Sequence, residues 1–146
     1  MKFTTASKMT QTIDMQTMRH LNLFEKITRI RTRFCFKYNE MIFFCVPRQL
    51  ISQAIGRDGE NVKKIYNILG KKIKIIPEPR GIEDIRGFIE AITSPVQFNE
   101  IEVSDKEVIL NSGRQSKAAL IGRNKRRLNE MQLIVKNFFA KDFRII

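Results

Sequence analysis

A chain of 146 residues, 42% of them hydrophobic, has the size of one ordinary domain or two very small ones and can bury a core, which excludes a disordered tail. Its formal net charge of +12 calls for an anionic partner, so nucleic acid or an acidic membrane surface leads. No apolar run approaches a membrane span, and the leading MKFTTASKMTQT lacks the apolar centre of a signal peptide, so a soluble cytoplasmic protein with no membrane partner is expected.

In chain order, residues 1–13 read as a polar tail. Ile13 to Ile27 carries Met18, Leu21 and Phe24 at helical spacing. RTRFCFK (Arg31 to Lys37) and MIFFCVP (Met41 to Pro47) flank the turn signal YNE and predict a strand hairpin. Cys35 and Cys45 either face each other across it or point to opposite faces, according to a shift of one residue in register. They are read as small apolar residues, with no disulfide or metal role. In LISQAIGRDGENVKKI one helix ends at Gly56 and a second starts at Gly59, with Asp58 expected as its N-cap. Val62, Ile65, Ile68 and Leu69 form the apolar stripe of that second helix, and the strand-like KIKII follows.

The chain then repeats itself at an offset of 66, which carries Gly56 onto Gly122. Ile82 to Ile92 predicts a helix that Gly87 weakens, QFNEIEV and EVILNSG a second hairpin, and IGRNK a second turn followed by Leu128, Met131, Ile134 and Val135. FRII closes the copy. Each half reads helix, strand, strand, helix, turn, helix, strand. The expected organisation is a tail over 1–13, a first module over 14–77 and a second over 78–146, divided at the proline-bearing PEPRG and packed as one rigid unit. At the fourth position of the second turn Lys125 replaces glycine, which disfavours positive φ and argues against close approach of a ligand backbone.

A helix start exposed at a glycine turn presents unpaired N–H groups to an anion. Arg57, Lys63 and Lys64 surround the first such turn, and Ile51, Ala54 and Ile55 would form an apolar wall for bases. The candidate ligand residues of the first module are Ile51, Ile55, Gly56, Arg57, Asp58, Gly59, Lys63 and Lys64. Those of the second are Ile121, Gly122, Arg123, Asn124, Lys125, Arg126 and Arg127, where a cationic cluster supports phosphate contact by side chains. Acids from Glu78 to Glu107 crowd the linker and the start of the second half, so charge is sorted by position. An enzyme is not expected. His20 stands alone on the first helix, Glu100 and Glu102 read as a solvated strand face, and no nucleophile, P-loop or metal-ligand spacing occurs, so neither cofactor nor metal is called for. Phe138, Phe139 and Phe143 are either core or an exposed protein contact, with core favoured for Phe138.

At IGRDG the sequence resembles a KH domain, the RNA-binding module whose Gly-x-x-Gly loop clamps unpaired nucleotides. Tandem modules of the type II order filling so short a chain, with LFEKIT, IGRDGENVKKI and LGKKIKII, resemble the archaeal NusA-like transcription factors from about Asp14 to the C-terminus. The resemblance implies an α+β fold and single-stranded RNA binding in transcription termination or antitermination, by a monomer with RNA polymerase as a candidate partner. A ribosome- or RNA-processing-associated KH protein and a protein-interaction adaptor are the alternatives.

Overall fold

A computed structural model of the chain describes residues 14–146, so the expected polar tail and Ile13 lie outside the described residues. Helix α1 spans Met15–Thr28, started by Asp14, whose carboxylate accepts the Thr17 N–H at 2.7 Å. That bond holds the Asp14 carboxyl below its ordinary value. Arg29, in the left-handed conformation at φ 65°, stops the helix and returns its N–H to Glu25 O at 2.8 Å.

Strands β1 (Phe34–Tyr38) and β2 (Met41–Val46) pair antiparallel around Asn39 and Glu40. Both turn residues have positive φ, 52° and 63°, the requirement of a two-residue turn whose twist matches the strands. Short α2 (Ile51–Ile55) and α3 (Glu60–Leu69) then carry the chain across, so that β3 (Ile73–Pro77) returns parallel to β2. The sheet order is β1-β2-β3.

One face of this sheet takes the helices. Phe24 of α1 stacks on Phe44 with ring centroids 4.4 Å apart, and Ile42, Val46, Ala54, Ile65, Ile73 and Ile75 close the cluster. Fully burying a side chain of this size contributes about 1.5–3 kcal/mol, far more than any surface ion pair here. Register settles the cysteines: Cys35 lies opposite Phe44 and Cys45 opposite Phe34, so the two point to opposite faces. Both are free thiols. Burial pushes Cys35 up to about 12 and also raises Cys45 well above the ordinary thiol value.

The second unit begins at Pro79, where the first ends at Glu78. It repeats the order: α4 (Ile85–Thr93), β4 (Glu100–Val103), β5 (Glu107–Asn111), α5 (Lys117–Ile121), α6 (Arg126–Phe139) and β6 (Asp142–Ile145). Gly87 does not prevent α4, because Ile85, Phe88, Ile89 and Ile92 around it are all buried. Strands β4 and β5 are antiparallel, β5 and β6 parallel, in the order β4-β5-β6. Phe88 packs on Phe138 and Phe139 at 4.8 and 5.8 Å. Phe138, Phe139 and Phe143 are all buried, which removes them as an exposed protein contact.

Each unit is therefore the α-β-β-α-α-β arrangement of a type II KH module, and the fold is α+β. The offset of 66 is kept residue for residue from α2 onto α5 and from the first turn onto the second. One stripe differs between the copies. Ile68, expected on the buried face of α3, is 62% exposed, whereas its counterpart Ile134 is buried.

Candidate nucleic-acid interface

The two glycine turns have the same backbone. Gly56 (φ 84°, ψ 169°) and Gly122 (φ 79°, ψ 169°) end α2 and α5 in a region of φ/ψ space open essentially to glycine alone. A tight turn of Arg57–Gly59 or Arg123–Lys125 follows. Within it Asp58 (φ 55°, ψ 29°) and Asn124 (φ 57°, ψ 28°) are left-handed, and so are Gly59 (φ 73°, ψ 21°) and Lys125 (φ 59°, ψ 25°).

Lys125 thus overturns the expectation that a side chain at this position abandons positive φ. A Cβ added at Gly59 would meet nothing within 4 Å, so the fourth position tolerates a side chain sterically and asks only for the left-handed conformation. That conformation costs an L-residue roughly 1–2 kcal/mol, which the surrounding helix pair can impose. The first glycine is different. A Cβ at Gly56 would stand 3.0 Å from Asn61 and Glu60 side-chain atoms, and one at Gly122 2.9–3.0 Å from Arg127 side-chain and main-chain atoms.

The expected N-cap role of Asp58 does not occur. Gly59 occupies the cap of α3 and no side chain bonds there; Asp58, left-handed one residue earlier, sits exposed in the turn. The first amides of α3 and α6 are also partly used. Gly59 N–H donates to Gly56 O at 3.1 Å and Glu60 N–H to Arg57 O, and Lys125 and Arg126 do likewise to Gly122 and Arg123. Among the described residues the amides of Arg57 and Asp58, and of Arg123 and Asn124, have no backbone partner. Two successive unpaired amides at the crest of each turn are what an anion can accept from.

A clip that sequence reasoning missed holds each helix pair. Asn61 Nδ2 donates to Ala54 O at 3.1 Å and Gln53 O at 3.3 Å; at the equivalent place Arg127 Nη1 donates to Ala119 O at 2.9 Å. The signal was available, because Asn61 and Arg127 stand 66 residues apart in the repeat. Half-buried and bonded inward, Arg127 is separated from the exposed Arg123, Lys125 and Arg126 with which it was grouped.

Arg57, Lys63 and Lys64 are exposed beside the first turn. Ile51 and Ile55 are half-buried, packed on the core with part of their surface open, and Ile121 is half-buried in the second unit; Ala54, expected in the same wall, is fully buried. Helix α2 lies against β3, an edge strand. His20 is half-buried on α1, where burial and the nearby Lys71 hold its imidazole below the ordinary value. Glu100 and Glu102 lie exposed two apart on β4. Among the described residues no three His, Cys, Asp or Glu side chains gather as metal ligands, and no helix is long and apolar enough to cross a membrane.

Three archaeal proteins, each described as a probable transcription termination protein NusA, are similar to this chain. The protein of Methanococcus vannielii is 31% identical over 75% of this chain and 64% of its own length. That of Methanocaldococcus jannaschii is 30% identical over 80% of this chain and 64% of its own. That of Thermoplasma acidophilum is 24% identical over 88% and 90%. The chain therefore spans just under two thirds of the first two relatives. No family model matches it. The crystal structure of APE1850 shares the fold, with a TM-score of 0.65 and 21% identity over 92% of this chain and 99% of that one.

Proposed function

We propose, from the premise that this chain is an archaeal NusA-like protein, that it binds single-stranded RNA without catalysis and acts in transcription termination or antitermination. The observation that carries the reading is the pair of turns with matching dihedrals and unpaired crest amides, each edged by exposed cations. Phosphates seat on the amides of Arg57 and Asp58 and of Arg123 and Asn124, with Arg57, Lys63 and Lys64, or Arg123, Lys125 and Arg126, completing the charge. In the first unit, bases rest on Ile51 and Ile55 and are read by main-chain groups along the edge strand β3. The second turn supplies more ionic contact and the first less, because Asp58 and Glu60 in the first stand where Asn124 and Arg126 stand in the second. The protein works in the cytoplasm, as a monomer that meets RNA polymerase.

Fluorescence anisotropy on an unstructured RNA oligomer tests this. Affinity falls with salt at a log-log slope of roughly −0.7 per phosphate neutralised. Arg57→Asp, which places two carboxylates in the first turn, lowers affinity substantially on folded protein. Arg123→Asp costs less, since Lys125 and Arg126 remain. A slope near zero, or no loss in either variant, refutes the reading.

A further inference from the structure

We infer that Arg29, Arg31 and Arg33 form a second contact for the phosphate backbone of single-stranded RNA, apart from both glycine turns. The inference rests on the RNA-binding reading above and extends it to a segment that carries no regular secondary structure.

The five residues that join α1 to β1 alternate strictly. Arg29, Arg31 and Arg33 are exposed, while Ile30 is buried in the core and Thr32 is half-buried. Such a connection would ordinarily be loose, but here two threonines pin it. Thr28 Oγ1 donates to Phe24 O at 2.7 Å and accepts the Ile30 N–H at 3.1 Å. Thr32 Oγ1 donates to Cys45 O and accepts the Phe34 N–H at 3.2 Å. The Arg29 N–H is fixed on Glu25 O. With both inward residues anchored, the outward ones project from a fixed backbone. Little entropy remains to be lost in that backbone when a ligand binds.

Among the described residues, Arg29 and Arg31 have little to do within the fold. Arg31 is 81% exposed, and its only ion pair among the described residues is 3.5 Å to a half-exposed Glu25, a contact of little worth in water. Arg33 holds its guanidinium 5.6 Å from the Phe34 ring, which orients it, and its charge also acts on half-buried Glu78, lowering a carboxyl that burial raises. The second unit provides an internal control. At the offset of 66 the three outward positions are Pro95, Gln97 and Asn99, all exposed, alternating with half-buried Val96 and buried Phe98. The same connection is therefore built with no charge, so the fold itself does not call for the charges of Arg29 and Arg31, and these answer to something outside it.

Three exposed arginines carried on a pinned segment suit a ligand with repeated negative charge, and the protein's +12 excess favours a polyanion. Position favours the same RNA strand. Phe34, where the segment ends, pairs with Cys45 at the end of β2 from which the chain leaves, past exposed Arg48, into α2 and the first turn.

The test replaces all three arginines by glutamine and measures anisotropy with labelled oligouridylates of about 4 and about 12 nucleotides, the shorter matching what one glycine turn clamps. Affinity for the longer RNA should drop roughly tenfold at low salt, and its log-log salt slope should become shallower by about 2, three contacts at about 0.7 each. The short RNA should bind as before, and the triple lysine variant should restore the slope. Should the triple variant fail to fold, Arg31→Gln alone, at a largely exposed side chain, should give about a third of the slope change. The inference is overturned if the long RNA keeps its affinity and slope while Arg57→Asp still weakens both RNAs, which leaves the RNA reading intact. Equal loss on both lengths also overturns it, as does loss confined to an acidic polypeptide such as polyglutamate. If the unaltered protein binds neither RNA, the RNA reading falls and takes this site with it.

Discussion

Exchanging the fourth residue of the two turns isolates backbone strain from contact. Lys125 is held at φ 59°, ψ 25°, and Gly59 at φ 73°, ψ 21°. Because a Cβ at Gly59 meets nothing within 4 Å, Lys125→Gly in the matching turn removes an exposed side chain without opening a cavity. It relieves roughly 1–2 kcal/mol of left-handed strain and adds roughly 0.5–1 kcal/mol of chain entropy to be lost on folding. The net gain is about 0.5–1 kcal/mol, or about 2–8 °C in the melting temperature of a unit this small. Gly59→Lys is the mirror experiment and should lose a similar amount in the first unit. Thermal melts by circular dichroism read both. The RNA salt slope should fall in magnitude by about 0.7 for Lys125→Gly, because one cation is gone although the turn has become easier to form. A Lys125→Gly protein that melts lower than its parent would refute the reasoning, since it would mean that the lysine makes a stabilising contact.

Gly56→Ala and Gly122→Ala should each cost more than about 2 kcal/mol and abolish RNA binding by their own turn, since both positions combine a glycine-only conformation with a crowded Cβ site. Gly122→Ala should be the worse in chemical denaturation: the Arg127 main-chain N at 3.0 Å cannot rotate away, whereas Asn61 and Glu60 side chains can. Arg127→Ala should destabilise by roughly 1–2 kcal/mol through the loss of the Ala119 O partner, yet leave the salt slope of RNA binding unchanged; a slope shallower by about 0.7 would show that Arg127 reaches phosphate.

The repeat, the order of elements in each copy and the position of the glycine turns follow from the sequence by itself, because apolar periodicity, strand composition and glycine punctuation are local signals. The first turn's Gly56 was readable for the same reason: no other residue adopts φ 84°, ψ 169° at acceptable cost. What tertiary packing decided lies where two local preferences competed. Asp58 has the chemistry of a helix cap, but the helix pair holds it in the left-handed turn, one residue short of the cap. Lys125 disfavours positive φ, but its neighbours must continue into α6 over the core, so the residue yields to the turn. Arg127 reads as one more cation in a basic run until α5 ends beside it and offers a carbonyl. Cys35 and Cys45 were equally compatible with one face or two, and only strand register separates them. Ile68 and Ile134 carry the same residue at the same place in the repeat, yet one is exposed and the other buried, because burial belongs to the neighbours a side chain finds and not to the side chain.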